Sequence, residues 1–325
     1  MKAPEFWLTG RGPWPAVLAP LGCLYALGGR LRHARARPRD VGVPVICIGN
    51  LTAGGTGKTP LAITIAGLLS AGGRTPHILT RGYGGTLSGP VRVDTAIHNA
   101  PETGDEALLL ARAAPTWVAH DRVSGARAAI NQGADTLILD DGFQNPALKK
   151  DFALVVIDGA TGLGNGRVIP AGPLREPMRT GLARADAVII MGRDEKNIAN
   201  DVRDCAPDLP VFTAHLRPCP DTSRLAGKSV FGFAGIGRPE KFRDTLIEIG
   251  CRVAGFRAFA DHHVFSAQEI TQLRAAADEA KAQLVTTAKD AARLGGGAQG
   301  IEVVEIVAEL EDAAGLARRL GLSPS

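Results

Sequence analysis

Cysteine is sparse and unpaired in this chain: Cys23, Cys47, Cys205, Cys219 and Cys251 are scattered over 325 residues with no CxxC spacing. The odd number argues against a complete disulfide framework, no zinc site is visible, and a reducing cytosolic environment fits best. Cys47 lies in an apolar run, where a thiol behaves as a small buried hydrophobe. Aromatic residues reach only 5%, which leaves little for base stacking, and a net charge of +4 is too modest to mark a nucleic-acid binder. The guanine-reading pattern NKxD is absent. So is the composition of a disordered chain, because 45% hydrophobic and 22% charged residues are ordinary for a globular protein. A length of 325 residues exceeds the usual growth limit of one core, so two domains are expected, and the 40 glycines imply many tight turns.

A hydrophobic run of full membrane-spanning length is also lacking. No residue between Arg11 and Arg30 is charged, yet that stretch would extend only roughly 27 Å as a helix, marginal for crossing a bilayer. Pro15 and Pro20 interrupt it, and Trp7, Trp14 and Tyr25 are residue types that favour the headgroup zone. Arg30, Arg32, Arg35, Arg37 and Arg39 follow directly and suit an anionic cytoplasmic leaflet. A secretory signal would carry its basic residues before the apolar run. The segment is therefore expected to lie in the interface, with a helix merely packed on the domain as the competing reading.

What is present is a phosphate cradle. Val45 to Pro60 reads VICIGNLTAGGTGKTP, a hydrophobic strand entering a glycine-rich turn that ends in Gly57-Lys58-Thr59. Backbone N–H groups around Gly54, Gly55 and Gly57 can face a polyphosphate, Lys58 can reach its outer phosphates, and the Thr59 hydroxyl can hold magnesium. Thr52 stands where the usual pattern has glycine. Leu61, Ile65, Leu68 and Leu69 then recur at helical spacing, so strand, loop and helix come in the required order.

Downstream, Pro76 to Leu79 reads as a strand leading into RGYGG, an exposed loop or hairpin carrying Arg81 and Tyr83. GDEALLLARAAP opens a helix with Asp105 and Glu106, acids that by position alone suit a helix dipole. Thr136 to Leu139 is a buried strand delivering Asp140 and Asp141 at its carboxyl end, where parallel sheets place ligands and nucleotide enzymes hold magnesium. Spacing does not separate the two neighbours. Strands at Leu154 to Ile157 and Ala187 to Ile190 flank NGRVIPAGPLREP, in which Arg167, Arg175 and Arg179 can face an anionic substrate. A second module begins at SVFGFAGIGRPEKF, whose GxG is weak evidence for another nucleotide site, and continues through FADHHVFS to strands at Leu284 to Thr287 and Glu302 to Ile306. The adjacent His262 and His263 rarely share one face, so a catalytic or structural pairing is favoured over a metal site.

In order, GNLTAGGTGKTP, RGYGG, GDEALLLA, LDDGFQ, IPAGPLREP, FAGIGRPEKF, FADHHVF and VTTAKDAARL occur along the chain. Together they resemble the tetraacyldisaccharide 4'-kinases of lipid A synthesis, a likeness that runs from the apolar amino-terminal segment through at least Leu294. That family carries the same shifted glycine pattern, which accounts for Thr52. The resemblance implies a membrane-associated kinase that phosphorylates the 4'-hydroxyl of a tetraacylated glucosamine disaccharide 1-phosphate, giving lipid IVA. ATP is the implied co-substrate and Mg2+ the implied metal. By similarity, Asp105 is the base, oriented by His262 across a domain cleft. Lys58 neutralises charge, and Thr59, Asp140 or Asp141, and Glu176 are the magnesium candidates. Asn50, Thr52, Gly54, Gly55, Thr56, Gly57, Lys58 and Thr59 form the expected nucleotide site. Tyr83 and Gln144 contact nucleotide or stabilise the closed site, and Arg175 partners the lipid's anionic headgroup.

The expected fold is α/β, with a P-loop NTPase-like, mostly parallel sheet domain, a second smaller α/β domain and an amino-terminal membrane-associated helix. The expected boundaries are 1–37 for the amino-terminal segment, 38–216 for the kinase domain, 217–228 for a linker and 229–325 for the smaller domain. The expected partners are the acylated disaccharide lipid and the cytoplasmic face of the inner membrane, with no nucleic acid and a monomeric state. A regulatory nucleotide switch and a cytosolic small-molecule kinase are the alternatives.

Overall fold

The computed structural model describes residues 4–322. Their strands run β1 Val45–Gly49, β2 Pro76–Thr80, β3 Val91–Arg92, β4 Thr116–Val118, β5 Thr136–Asp140, β6 Phe152–Asp158, β7 Ala187–Met191, β8 Val211–Pro218, β9 Ser229–Ala234, β10 Arg252–Ala258, β11 Gln283–Thr287, β12 Glu302–Val304 and β13 Ile306–Leu310. Nine form one sheet in the order β13-β8-β7-β6-β1-β5-β2-β4-β3, and β10-β9-β11-β12 form a second. Interior pairs of the large sheet are parallel, while its edge strands β3 and β13 pair antiparallel. The fold is thus α/β with a mostly parallel principal sheet.

Burial on both faces explains the parallel arrangement. β1, β2, β5 and β7 are buried at every position, as expected of short continuous apolar runs covered on each side by connecting helices. Ile48, Leu61, Ile65, Ile138 and Ile189 pack on one face, and Val45, Leu137, Leu139, Phe143 and Val155 on the other. Each large aliphatic side chain buried in this way contributes about 1.5–3 kcal/mol. The smaller sheet has its own core around Val230, Phe242, Leu246, Val285 and Val304.

Three local expectations change. The strand read at Glu302 to Ile306 divides, because β12 joins the small sheet whereas β13 returns to pair with β8 of the large one. Residues from Ile306 onward therefore belong with the large sheet, not with a unit spanning 229–325; Ala308, Leu310, Leu316 and Leu322 fill its core. The 217–228 connector holds the end of β8 and a 3-10 turn, Pro220–Leu225. Of the two readings of RGYGG the exposed loop holds and the hairpin does not, with two glycines packed inward: a Cβ on Gly82 would meet a Val118 methyl at 2.6 Å, and one on Gly85 would meet the Glu102 carbonyl at 2.5 Å. Tyr83 nevertheless projects, 76% exposed.

The apolar amino terminus forms helices Glu5–Thr9, Trp14–Val17 and Ala19–Arg35, with Pro15 and Pro20 in the first turns of the latter two. Proline is tolerated there because first-turn N–H groups have no helical partner. No helix among the described residues is long and apolar enough to cross a membrane. Gly22 is buried, and a Cβ there would approach the Val168 carbonyl to 2.9 Å. Trp7 Nε1 donates to the Pro170 carbonyl at 3.0 Å. The outer face leaves Trp14, Val17, Leu21, Leu24, Tyr25 and Leu27 exposed.

Candidate active site

Parallel register brings the phosphate loop and the acidic strand together. Ile48 of β1 lies opposite Asp140 of β5, so both strands deliver their carboxyl ends to one edge of the sheet. Gly49 permits the close approach, since a Cβ there would stand 2.4 Å from Phe143 Cβ. Thr52 needs no special backbone geometry: it bridges to Leu174, Ala53 N–H donates to the Pro173 carbonyl at 2.8 Å, and Arg175 N–H donates to the Leu51 carbonyl at 2.7 Å. The turn itself falls at Gly54 (φ +122°) and Gly57 (φ +83°), in conformations that a side chain strains.

Gly57 opens the helix Lys58–Ala71, which has neither a side-chain cap nor an acidic residue in its first turn. Such a terminus, with N–H groups and the positive end of the helix dipole facing outward, suits an anion. Asn50 Nδ2 donates to the Gly54 carbonyl at 3.2 Å, whereas the buried Asn50 Oδ1 and Thr56 Oγ1 have no hydrogen-bond partner. Thr59 is buried beside them.

The neighbours Asp140 and Asp141 occupy opposite environments. Asp140 is 1% exposed, and its Oδ1 is also without a hydrogen-bond partner. Burial raises its pKa, reinforced by Glu106 and partly offset by Lys58. Asp141 adopts φ +52° and faces Lys58 at 3.6 Å and Arg175 at 3.1 Å. Burial would raise its pKa too, but those two cations bring it below the usual value. A buried carboxyl oxygen without a protein donor fits a magnesium ion held through one or two carboxylates and substrate phosphates. Glu176 fits less well, because Oε1 accepts from Gln144 Nε2 at 3.1 Å and Oε2 is engaged by Arg184. No group of three or more His, Cys, Asp or Glu side chains gathers as a metal site among the described residues.

Gln144 also donates to the Asn50 carbonyl at 2.8 Å, so it props the phosphate loop. Arg175, expected at the lipid headgroup, is engaged with Asp141 and lies 3.4 Å from Gln144 Oε1. Its backbone bond to Leu51 holds it there.

Asp105 opens the helix Asp105–Ala113 after Gly104 (φ +86°), where a Cβ would meet the Tyr83 carbonyl at 2.5 Å. Asp105 is 5% exposed, and its carboxylate faces the smaller unit. Arg293 donates to Oδ2 from Nε at 2.9 Å and from Nη2 at 2.7 Å, and His262 Nδ1 lies 3.5 Å from the same oxygen. Burial would raise the Asp105 pKa, but His262, Arg293 and Lys289 hold it well below the ordinary carboxylate range. The hydrogen bond to Asp105 in turn raises the His262 pKa against the opposing effect of burial. His263 points elsewhere, bonding Glu269 at 3.0 Å and stacking on Phe259. The Gly235–Gly237 turn is not a second phosphate cradle: Gly235 N–H donates to Asp290, and its carbonyl accepts from Arg293 and from the His262 N–H.

Arg293, Lys289 and Arg184 are charged neighbours of the site that sequence reasoning passed over, and Glu106 was read there only as an acid suited to the helix dipole. Lys289 and Arg293 stand four apart in VTTAKDAARL, a spacing that puts them on one helix face. Lys289 meets Glu106 at 2.6 Å as Arg293 meets Asp105.

A family model described as tetraacyldisaccharide-1-P 4'-kinase matches residues 14–321. A tetraacyldisaccharide 4'-kinase of Parvibaculum lavamentivorans is 52% identical over 298 residues, covering 90% of this chain and 87% of that one. One of Gluconacetobacter diazotrophicus is 51% identical over 295 residues, covering 90% and 89%. Among solved structures, LpxK from Aquifex aeolicus in complex with ATP superposes with a TM-score of 0.75 at 26% identity, covering 94% of this chain and 98% of that chain. With a phosphate loop, an acidic strand end and an aspartate at the cleft arranged as described, the chain belongs to the tetraacyldisaccharide-1-P 4'-kinase family.

Proposed function

We propose that this chain transfers the terminal phosphoryl group of ATP to the 4'-hydroxyl of a tetraacyldisaccharide 1-phosphate, giving lipid IVA. The observation that carries the reading is the buried, unpartnered Asp140 oxygen beside an uncapped phosphate-loop helix, with Asp105 held at the facing cleft. Phosphoryl transfer asks mainly for charge neutralisation and in-line placement, which these groups supply.

The loop Asn50 to Thr59 cradles the phosphates, with Lys58 offsetting their charge. Thr59 and Asp140 would hold magnesium, which when bound neutralises the charge developing between the outer phosphates. Asp141 keeps Lys58 and Arg175 in place, and Gln144 with Glu176 braces the loop from behind. Asp105 receives the hydroxyl proton as the sugar oxygen attacks, and His262 steadies it from the smaller unit. Tyr83, whose ring lies 6.4 Å from that of His262, borders the same cleft.

The exposed apolar face of the amino-terminal helices, followed by the arginine cluster, suits attachment to the cytoplasmic face of the inner membrane as a monomer. Deleting residues 1–31 is expected to abolish sedimentation with anionic vesicles; undiminished binding would remove the anchoring role. The activity itself is tested by incubating the purified chain with radiolabelled ATP, magnesium and the lipid precursor in detergent. Label in a bisphosphorylated lipid is the expected result, whereas nucleotide turnover without labelled lipid would point to a switch or a different acceptor.

A further inference from the structure

Arg293 reaches from the helix Ala288–Leu294 of the smaller unit to Asp105, and its guanidinium is itself held from behind. Nη1 donates to the Gly235 carbonyl at 2.7 Å and to Asp290 Oδ1 at 2.8 Å. Asp290 is fixed in turn by the Thr287 hydroxyl at 2.6 Å and by Gly235 N–H. The remaining edge of the fork, Nε and Nη2, delivers both of its bonds to one oxygen of Asp105. A rigid planar fork anchored on two acceptors fixes the carboxylate's rotation in a way that a flexible ammonium does not.

The two oxygens of Asp105 are consequently unequal. Oδ2 receives both Arg293 bonds and faces His262, whereas Oδ1 accepts the backbone N–H of Glu106 at 2.9 Å. A carboxylate oxygen has two lone pairs, so Oδ1 retains one beyond the Glu106 bond. We propose that Arg293 is a positioning residue for phosphoryl transfer: by saturating Oδ2 it presents Oδ1 as the oxygen that takes the proton of the sugar hydroxyl. This inference rests on Asp105 being the proton acceptor. As the sugar oxygen forms its bond to phosphorus, its O–H bond breaks toward Oδ1 and the bond to the bridging oxygen of the departing nucleoside diphosphate opens.

Burial by itself would drive Asp105 toward its neutral form, in which it has no charge with which to draw off a proton. Arg293 opposes this with an interaction that reaches across from the smaller unit. The partner pair Lys289–Glu106 holds the next residue of the same helix turn, so rotation of Asp105 is restrained at both the side chain and the adjoining backbone.

The test compares Arg293→Met, Arg293→Lys, Asp105→Asn and the double variant Asp105→Asn/Arg293→Met, each checked for folding by circular dichroism. Arg293→Met is expected to lower kcat roughly tenfold to a hundredfold, a share of the 10²–10⁴ that a positioned base contributes. KM for ATP should stay within about twofold, since no ATP contact is removed. The acid limb of kcat/KM should move to higher pH, and Arg293→Lys should recover part of both losses. In the Asp105→Asn background, Arg293→Met should change the residual rate by less than about twofold, because coupled residues lose their separate effects. Wild-type kcat and an unmoved acid limb in Arg293→Met, with Asp105→Asn inactive, would overturn the positioning role and leave the base intact. Wild-type kcat in Asp105→Asn would remove the base itself, and this inference with it. If Arg293→Met does not fold, Arg293→Lys decides: a lowered kcat with a raised acid limb supports the role, and unchanged values overturn it.

Discussion

Asp140 and Asp141 are one peptide bond apart, yet backbone geometry gives them opposite work. Asp140 ends β5 in extended conformation and is buried, while Asp141 turns into the left-handed region at φ +52° and meets Lys58 and Arg175. Aspartate is among the few non-glycine residues that accept that region. Replacing each by asparagine should separate them. Asp140→Asn is expected to lower magnesium-dependent turnover on the order of a hundredfold, the scale of losing one electrostatic group from a transition-state site. Stability should hold or rise, because a carboxylate opposed by burial is removed. Asp141→Asn should instead lower the urea midpoint, since it leaves Lys58 and Arg175 without their anion. Turnover at graded magnesium concentration, with urea melts alongside, checks both; equal behaviour of the two variants would refute the division.

Among the elements, the junction of β1 with the phosphate loop carries a tight steric demand. Gly49 lets Phe143 lie against the strand, and the segment Leu51 to Ala53 then pairs with Pro173 to Arg175 before the turn begins. That pairing is why the glycine pattern is displaced: Thr52 is in paired backbone, and the positive φ values fall later. Gly49→Ala brings a methyl into Phe143 and is expected to cost about 1–3 kcal/mol, the range for overpacking a core. A fall in the urea midpoint with loss of ATP affinity is the outcome to look for, and an unshifted midpoint would show that Phe143 relaxes freely. The strand, loop and helix order here was legible from apolar spacing and the Gly-Lys-Thr ending. The displacement at Thr52 was legible as well, but its packing partner was not, because that lies more than a hundred residues downstream.

Across the whole molecule, the two units meet through oppositely charged pairs: Asp105 with Arg293 and His262, Glu106 with Lys289, and Asp158 with Arg238. His262 supplies a titratable member of this set. Its folded pKa is raised above the ordinary 6.5 by Asp105, so its stabilising contribution is fully present below about pH 6.5 and is lost as pH rises through the raised value. Asp105, with its pKa depressed, stays ionised throughout that window. The stability difference between the wild type and His262→Ala should therefore be largest in mildly acidic solution and shrink toward alkaline pH. A difference independent of pH would mean that the imidazolium does not fasten the units together.

Local letters were sufficient for the phosphate loop, the acidic strand end, most buried strands and the order of motifs that marks the family. Each of these is written in residues adjacent in the chain, where hydrophobic period and turn chemistry act directly. Tertiary packing decided the rest: that β13 rejoins the large sheet, that Arg175 pairs with Asp141, that Glu176 is held by Gln144 and Arg184, and that Arg293 reaches Asp105. Those outcomes depend on contacts between residues far apart in sequence, and a charged side chain's partner is set by what the fold brings within about 4 Å, the reach at which ion pairs form.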